Sequence, residues 1–172
     1  MTITINGSGT ITGVSAGGLP SGTVTQATLA TPVAGTGPAF SAYKSADQTI
    51  TSTVITKVTF DTEIFDTNSN FASSTFTPTV AGYYQVNATV AIQTSLTITY
   101  IRAAIYKNGS PYKYIITTST SVNVELSGSD LIYMNGTTDY LEIYARGDGT
   151  GTLAVISGST NSSFSAFLAR SA

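Results

Sequence analysis

The chain has 172 residues, a formal net charge of −2, and neither cysteine nor histidine. Disulfides, thiolate or imidazole metal sites and serine–histidine catalysis are therefore excluded. There is no run of Lys and Arg and no stretch of 18 apolar residues, which argues against nucleic-acid binding and membrane insertion. Only 9% of the residues are charged while Ser and Thr are abundant, and this composition favours an all-β protein.

Residues 1–37 differ from the rest of the chain because they are rich in Gly, Ser and Thr and contain no aromatic residue. Such a segment cannot bury enough apolar surface to fold alone. It is either a flexible linker or an extended arm that becomes ordered on a partner, and the short alternating stretches TITI and GTVTQATL favour the arm. We therefore divide the chain into an N-terminal attachment segment, 1–37, and a folded head, 38–172.

The remaining sequence alternates between strand-like stretches and turns, and none of it has a helical period. Asn108-Gly109 in YKNGSPYK predicts a tight hairpin with a type I′ turn, and SGSD, NGTT, GDGTG and GSTNSS predict further turns. About ten short strands with regular turns indicate a sandwich, a jelly roll or a barrel. We predict strands at 39–43, 48–60, 83–93, 97–109, 111–120, 121–127, 130–135, 139–147, 152–156 and 162–170.

Three ordered motifs narrow this prediction: FSA at 40–42, FTPTVAGYY at 76–84 and FSAFL at 164–168. Together they resemble the C1q-like domain, the jelly-roll head of the complement and tumour necrosis factor superfamily, over residues 38–170. The departure is Ala166, which stands where the family motif has glycine. The resemblance implies an all-β, ten-strand jelly-roll sandwich that forms a compact homotrimer and binds partners without being an enzyme.

The last predicted strand, SSFSAFLAR at 162–170, is apolar on both faces. A strand with one wet face would alternate with polar residues, so we expect the core to cover one face and neighbouring protomers to cover the other. Following the resemblance, we assign Phe164, Ala166 and Leu168 to the trimer axis and Phe167 to the core.

On the matching central strand the resemblance assigns Gln85 and Asn87 to the trimer axis and turns Tyr84 and Val86 inward. The alternative is a monomer whose last strand lies in the middle of a sheet under its own loops. Some C1q-like heads hold calcium near the axis, but the sequence offers no acidic cluster that we can assign to it.

The acidic residues and short motifs give no convincing catalytic or metal site. Asp61 and Glu63 would share one face of a strand, which fits the carboxylate separation of a glycosidase but also fits any solvated face. DTNSNF at 66–71 begins like a calcium loop but lacks the glycine and glutamate that such a loop needs. RGD at 146–148 is a short match that we expect in an ordinary turn. We therefore expect neither enzyme activity nor a cofactor.

The tyrosines are the best candidates for ligand contact. Most should pack in the core or across strands, while an exposed minority would stack on sugar rings. The candidates in or beside predicted strands are Tyr112, Tyr114, Tyr133, Tyr140 and Tyr144.

The stretch GSGTITGVSAGGLPSGTVTQATLA also resembles glycine- and threonine-rich segments of bacteriophage tail fibres and other virion proteins. We predict a phage virion protein, at the tail or capsid surface, that attaches to other virion proteins through residues 1–37. Its trimeric head would belong to a tail fibre and recognise a host surface glycan or protein by multivalent binding. The alternative is a capsid decoration (cement) protein whose arm clamps neighbouring capsid subunits and whose head needs no receptor.

Overall fold

The computed structural model describes residues 4–5, 11–12, 37–94, 97–117 and 123–172. The chain divides into two units, Met1–Val33 and Ala34–Ala172. In the first unit, β1 (Thr4–Ile5) pairs antiparallel with β2 (Ile11–Thr12). Most of the predicted arm lies outside the described residues, so its boundary at residue 37 and its attachment role stay predictions.

Where it is described, the second unit consists of strands joined by turns and loops and contains no helix. Its strands are β3 (Ala39–Tyr43), β4 (Gln48–Ile50), β5 (Thr56–Lys57), β6 (Thr62–Asp66), β7 (Phe71–Ala72), β8 (Thr75–Phe76), β9 (Gly82–Thr94), β10 (Ile98–Lys107), β11 (Ser110–Thr117), β12 (Asn123–Met134), β13 (Leu141–Gly149), β14 (Leu153–Val155) and β15 (Ser163–Ser171). Among the described residues, no apolar helix reaches the length that crossing a bilayer requires.

These strands form two antiparallel sheets. In sheet I, β12 pairs with one edge of β9, while β15 and β14 pair with its other edge. β3 and β6 continue this sheet beyond β15, and β4 continues it beyond β14. Sheet II has the order β11-β10-β13-β8-β7, with β5 also paired to β13. The all-β jelly-roll prediction is confirmed, and the strand count agrees approximately with the ten expected.

The core lies between the inner faces of the two sheets. Along β9 the buried residues alternate with exposed or half-buried ones, as the sequence pattern of this strand predicts. Tyr84 points inward, and its hydroxyl donates a hydrogen bond of 2.8 Å to the carbonyl oxygen of Val80. Burial raises the pKa of Tyr84 to about 12, so this hydroxyl remains a donor at ordinary pH. The inward assignment of Tyr84 and Val86 is correct.

The sequence expectations for residues 48–60 and 127–130 are wrong. The predicted strand 48–60 is divided into β4 in sheet I and β5 in sheet II, so this segment crosses between the sheets. The predicted SGSD turn lies inside β12, which pairs without interruption with β9 from Asn123–Gln93 to Met134–Gly82. Gly128 in this stretch also permits close packing, because a Cβ there would lie 2.6 Å from Cγ1 of Ile115. Long-range pairing and packing thus override the local turn preference.

The predicted hairpin at YKNGSPYK is confirmed. Asn108 and Gly109 have φ values of 53° and 75°, both in the left-handed region that a type I′ turn requires. The side chain of Asn108 is also anchored, since its Nδ2 donates to Oδ1 of Asp139 at 2.7 Å and its Oδ1 accepts from the amide of Tyr140 at 2.9 Å. The hairpin is therefore attached to the start of β13.

Asp139 is the centre of this buried polar network. Its carboxylate also accepts a hydrogen bond from the amide of Asn135 at 3.0 Å and lies 2.9 Å from Nζ of Lys107. Burial alone raises the pKa of Asp139, but the hydrogen bonds from Asn108, Lys107 and the Asn135 amide together lower it below its ordinary value.

We expect Asp139→Asn to lower the free energy of unfolding by about 2 kcal/mol near neutral pH, because the donors lose a charged acceptor. Since the folded-state pKa is depressed, this contribution is present above the unfolded-state pKa of about 4 and disappears as pH falls through the folded value. Urea denaturation of wild type and variant should show the difference shrinking below about pH 4. Glu125→Gln, at an exposed position, is the control, and a difference that does not change with pH would contradict the assignment.

Candidate self-association surface

The outer face of sheet I, which is turned away from the core, carries a cluster of exposed apolar side chains. We call Tyr83, Leu131, Tyr133 and Phe167 the apolar patch; Leu131 is 50% and Phe167 46% exposed. Exposed large apolar residues are ordinary when scattered, but a contiguous group marks an interaction site.

Strand register brings the patch together from three strands. Gln85 on β9 pairs with Phe167 on β15 and with Leu131 on β12, so these three residues form one row across the sheet. Tyr83 pairs with Tyr133 in an adjacent row, and their ring centroids are 5.4 Å apart. Because cross-strand partners share a face, the four apolar side chains project to the same side.

In the next two rows of these three strands the side chains are polar but uncharged. Asn87 pairs with Ser165 and with Ser129, and in a neighbouring row Oγ1 of Thr89 lies 3.2 Å from Oγ of Ser127. Hydroxyl and amide groups can exchange hydrogen bonds with identical groups, whereas like charges in contact repel. The centre of the face is therefore compatible with contact between copies of the chain.

The structure reverses the face assigned to one set of predicted axis residues. Phe164, Ala166 and Leu168 are all at most 2% exposed and belong to the protomer core. Their cross-strand partners on β9 are inward-facing residues, for example Leu168 with Tyr84, and this register fixes the face of β15. Phe167, which was assigned to the core, is exposed instead.

The other two predicted axis residues have the expected orientation. Gln85 is half-buried and Asn87 exposed, both on the outer face of sheet I. Their place in a trimer stays a prediction.

The two-sheet architecture is shared with solved structures. The globular domain of zebrafish complement 1qA protein matches with a TM-score of 0.57 and 19% identity, covering 78% of this chain and 99% of that one. Murine APRIL at pH 5.0 matches with a TM-score of 0.59 and 8% identity, covering 76% and 97%. Eiger TNF from S. frugiperda matches with a TM-score of 0.58 and 9% identity, covering 79% and 95%. The head is a C1q/TNF-like jelly roll. No protein-family model and no curated protein matches the sequence.

Asp61, one of the two carboxylates considered for glycosidase chemistry, holds a loop in place. Both carboxylate oxygens of Asp61 accept hydrogen bonds from Ser45, at 2.7 Å from the amide and 2.9 Å from the hydroxyl, while Glu63 is exposed. The hydrogen bond from the Ser45 amide is the main reason that the pKa of Asp61 is lowered. Asp61 thus fixes the position of the segment after β3. The side chains of Asp61 and Glu63 are both exposed to solvent.

The DTNSNF segment is organised by Asp66. Its carboxylate accepts hydrogen bonds from the amides of Asn68, at 3.3 Å, and Phe71, at 2.7 Å. The loop therefore uses the carboxylate as an internal cap for its own backbone. The described residues contain no group of three or more acidic side chains that would hold a metal ion.

The RGD motif lies within β13, not in the turn that the sequence suggested. Arg146 pairs with Asp148 through Nε–Oδ1 and Nη2–Oδ2 distances of 2.7 Å and 2.8 Å.

Among the candidate tyrosines, Tyr112, Tyr114 and Tyr133 are exposed, whereas Tyr140 and Tyr144 are half-buried. The sequence could not separate these classes, because exposure depends on which strand lies alongside each ring.

Proposed function

We propose that the protein is a non-enzymatic binding head that works as a homotrimer joined through the outer face of sheet I. The observation that carries this proposal is the apolar patch. The patch is contiguous, it lies on a sheet face, and an uncharged polar surface adjoins it. Burying such a patch contributes roughly 25 cal/mol for each Å² of apolar surface removed from water.

A second copy of the chain is the occupant that best fits this face. Copies arranged around an axis bring equivalent regions of their surfaces close together, so charges near the axis are repeated and repel. The rows of Asn87 and Thr89 contain no charged residue. A partner of opposite charge would find nothing to pair with there, whereas identical hydroxyl and amide groups can bond to each other.

We expect the head to have the mass of three protomers in size-exclusion chromatography with light scattering. Leu131→Asp would place a carboxylate in the centre of the contact, and we expect it to shift the protein to single protomers while retaining the β-sheet circular dichroism signal. Thr137→Asp, in an exposed turn, is the matched control and should leave the trimer intact. A wild-type protein with the mass of one protomer would refute the proposal.

We further propose that this trimer is the head of a phage tail fibre at the virion surface, attached through residues 1–37 and directed at a host surface glycan. The support is the composition of the N-terminal segment and its likeness to virion proteins. Three weak sites on one rigid trimer gain avidity without new contacts. Purified particles should carry the protein in tens of copies, whereas a capsid decoration protein would be present in hundreds.

A further inference from the structure

The outer face of sheet I contains a cavity near the end of β9 that lies away from the apolar patch. β9 changes its neighbour there, since Thr89 pairs with Ser163 on β15 whereas Ile92 pairs with Val155 on β14. The segment between these two strands, 156–162, forms one wall of the cavity, and β12 forms the opposite wall. The cavity has a volume of about 430 Å³, which is within the range of roughly 300–1,000 Å³ for small-molecule sites.

The lining combines apolar side chains with polar ones from three parts of the chain. Its outward-facing members are Ala91 and Gln93 of β9, Asn123 and Glu125 of β12, and Ile156 and Asn161 of the segment that follows β14. Ala91 is opposite Glu125, and Gln93 is opposite Asn123, so these side chains share one face of the sheet. The cavity is therefore built by the sheet topology and not by one loop.

The wall that follows β14 is attached to β9 by hydrogen bonds. The amide of Ile156 donates to the carbonyl oxygen of Ala91 at 2.9 Å, and the hydroxyl of Ser162 accepts from the Ala91 amide at 3.2 Å. Nδ2 of Asn161 donates to the carbonyl oxygen of Ser157 at 2.7 Å, which fixes the orientation of the Asn161 carboxamide. Its Oδ1 is thereby left to accept a hydrogen bond from a ligand.

The polar side chains of the other two elements have no partner in the protein. Within the described ranges, the side chains of Gln93, Asn123 and Glu125 form neither a hydrogen bond nor an ion pair. A carboxamide both donates and accepts, and a carboxylate accepts from two neighbouring donors at once. Adjacent hydroxyl groups of a sugar match this set, because each hydroxyl both donates and accepts. Ala91 and Ile156 offer apolar contact to the C–H groups of a sugar ring.

The charge of the cavity selects among ligand classes. Among the described residues that line it, Glu125 alone is charged. A carboxylate there would repel an acidic sugar or a phosphate. Calcium takes six to eight oxygen ligands, usually with several carboxylates among them, and the described residues contain no acidic group that would supply these. A neutral ligand with many hydroxyl groups therefore fits the lining best.

We infer that this cavity binds a neutral saccharide whose hydroxyl groups form hydrogen bonds with Glu125, Asn123 and Asn161. The apolar face of the sugar ring lies against Ala91 and Ile156. The inference rests on the proposed function, since it gives the glycan recognition of the head a site and a ligand class.

The cavity is compatible with self-association through the same sheet. Ala91 lies six residues along β9 from Gln85, which is level with the apolar patch, and this separation corresponds to roughly 20 Å. Copies of Glu125 in contact around an axis would repel one another, so contact between protomers ends before this row and the cavity stays open. Threefold symmetry places the three cavities at the same end of the head, where they act together.

The test is a calorimetric titration of the full chain with neutral trisaccharides of glucose, galactose, mannose and N-acetylglucosamine. We expect at least one of these sugars to bind, with an affinity that added salt leaves unchanged because the ligand has no charge. Glu125→Gln should lower that affinity by about tenfold, since a charge-assisted hydrogen bond is lost. Ala91→Phe should abolish binding, because the phenyl ring fills the cavity from the outer face of the sheet.

Glu63→Gln is the matched control, because it removes the same charge from an exposed position on β6. It should leave the affinity within about twofold of wild type. The inference is overturned by no binding of any of these sugars, by an unaffected Glu125→Gln variant, or by equal affinity for a neutral triserine peptide with blocked ends. Light scattering separates the two proposals. A trimer that binds none of the sugars leaves the trimeric head standing, whereas a single protomer that binds one of them supports the cavity and refutes the trimer.

Discussion

Replacing Leu168 by aspartate is expected to unfold the protein instead of giving a folded single protomer. Leu168 is 1% exposed, and its methyl groups fill the space above two glycines. A Cβ on Gly37 would lie 2.3 Å from Cδ2 of Leu168, and one on Gly82 would lie 2.6 Å from Cδ1. An aspartate there loses the packing of the leucine and buries an unpaired carboxylate, which together cost several kcal/mol out of a typical total stability of about 5–15 kcal/mol.

The neighbouring residue supplies the matched variant. Phe167 is on the opposite face and 46% exposed, so Phe167→Asp should keep the fold and lose only self-association. Circular dichroism reports the fold, and light scattering reports the mass. A folded, trimeric Leu168→Asp protein would show that the assigned face of β15 is wrong. An unfolded Phe167→Asp protein would lead to the same conclusion.

The face of β15 illustrates what the sequence could not decide. Alternation predicts β9 well, because the polar Gln85 and Asn87 alternate with the apolar Tyr84, Val86 and Ala88. In β15 both faces are largely apolar, so periodicity alone gives two equivalent assignments. The register with β9 selects one of them, and register is a long-range property that a local pattern does not contain.

The same limit applies to the apolar patch. The patch combines residues from β9, β12 and β15. Leu131, for example, is unremarkable in its own segment, where it follows a predicted turn. A turn was predictable from its own residue types where no long-range pairing overrides them, as at Asn108 and Gly109. Surfaces assembled across strands required the sheet topology.

Phe40→Ala should cause the largest loss of stability among simple truncations of the core. The Phe40 ring stacks on Phe71 and on Phe76 with centroid distances of 4.5 Å each, and it meets Phe164 edge-on at 4.8 Å. Truncation leaves a cavity and breaks all three ring contacts. We expect the free energy of unfolding to fall by about 3–5 kcal/mol, the range for truncation of a core aromatic residue.

The measurement is urea denaturation at a fixed protein concentration, since self-association adds to apparent stability. Tyr112→Ala is the control, because Tyr112 is 50% exposed and its truncation should change stability by no more than about 0.5 kcal/mol. The slope m should be unchanged, because both variants expose the same surface on unfolding.

The four rings of this phenylalanine cluster come from both sheets: Phe40 and Phe164 lie on β3 and β15 of sheet I, and Phe71 and Phe76 lie on β7 and β8 of sheet II. A loss below about 1 kcal/mol would therefore mean that the two layers are held together elsewhere.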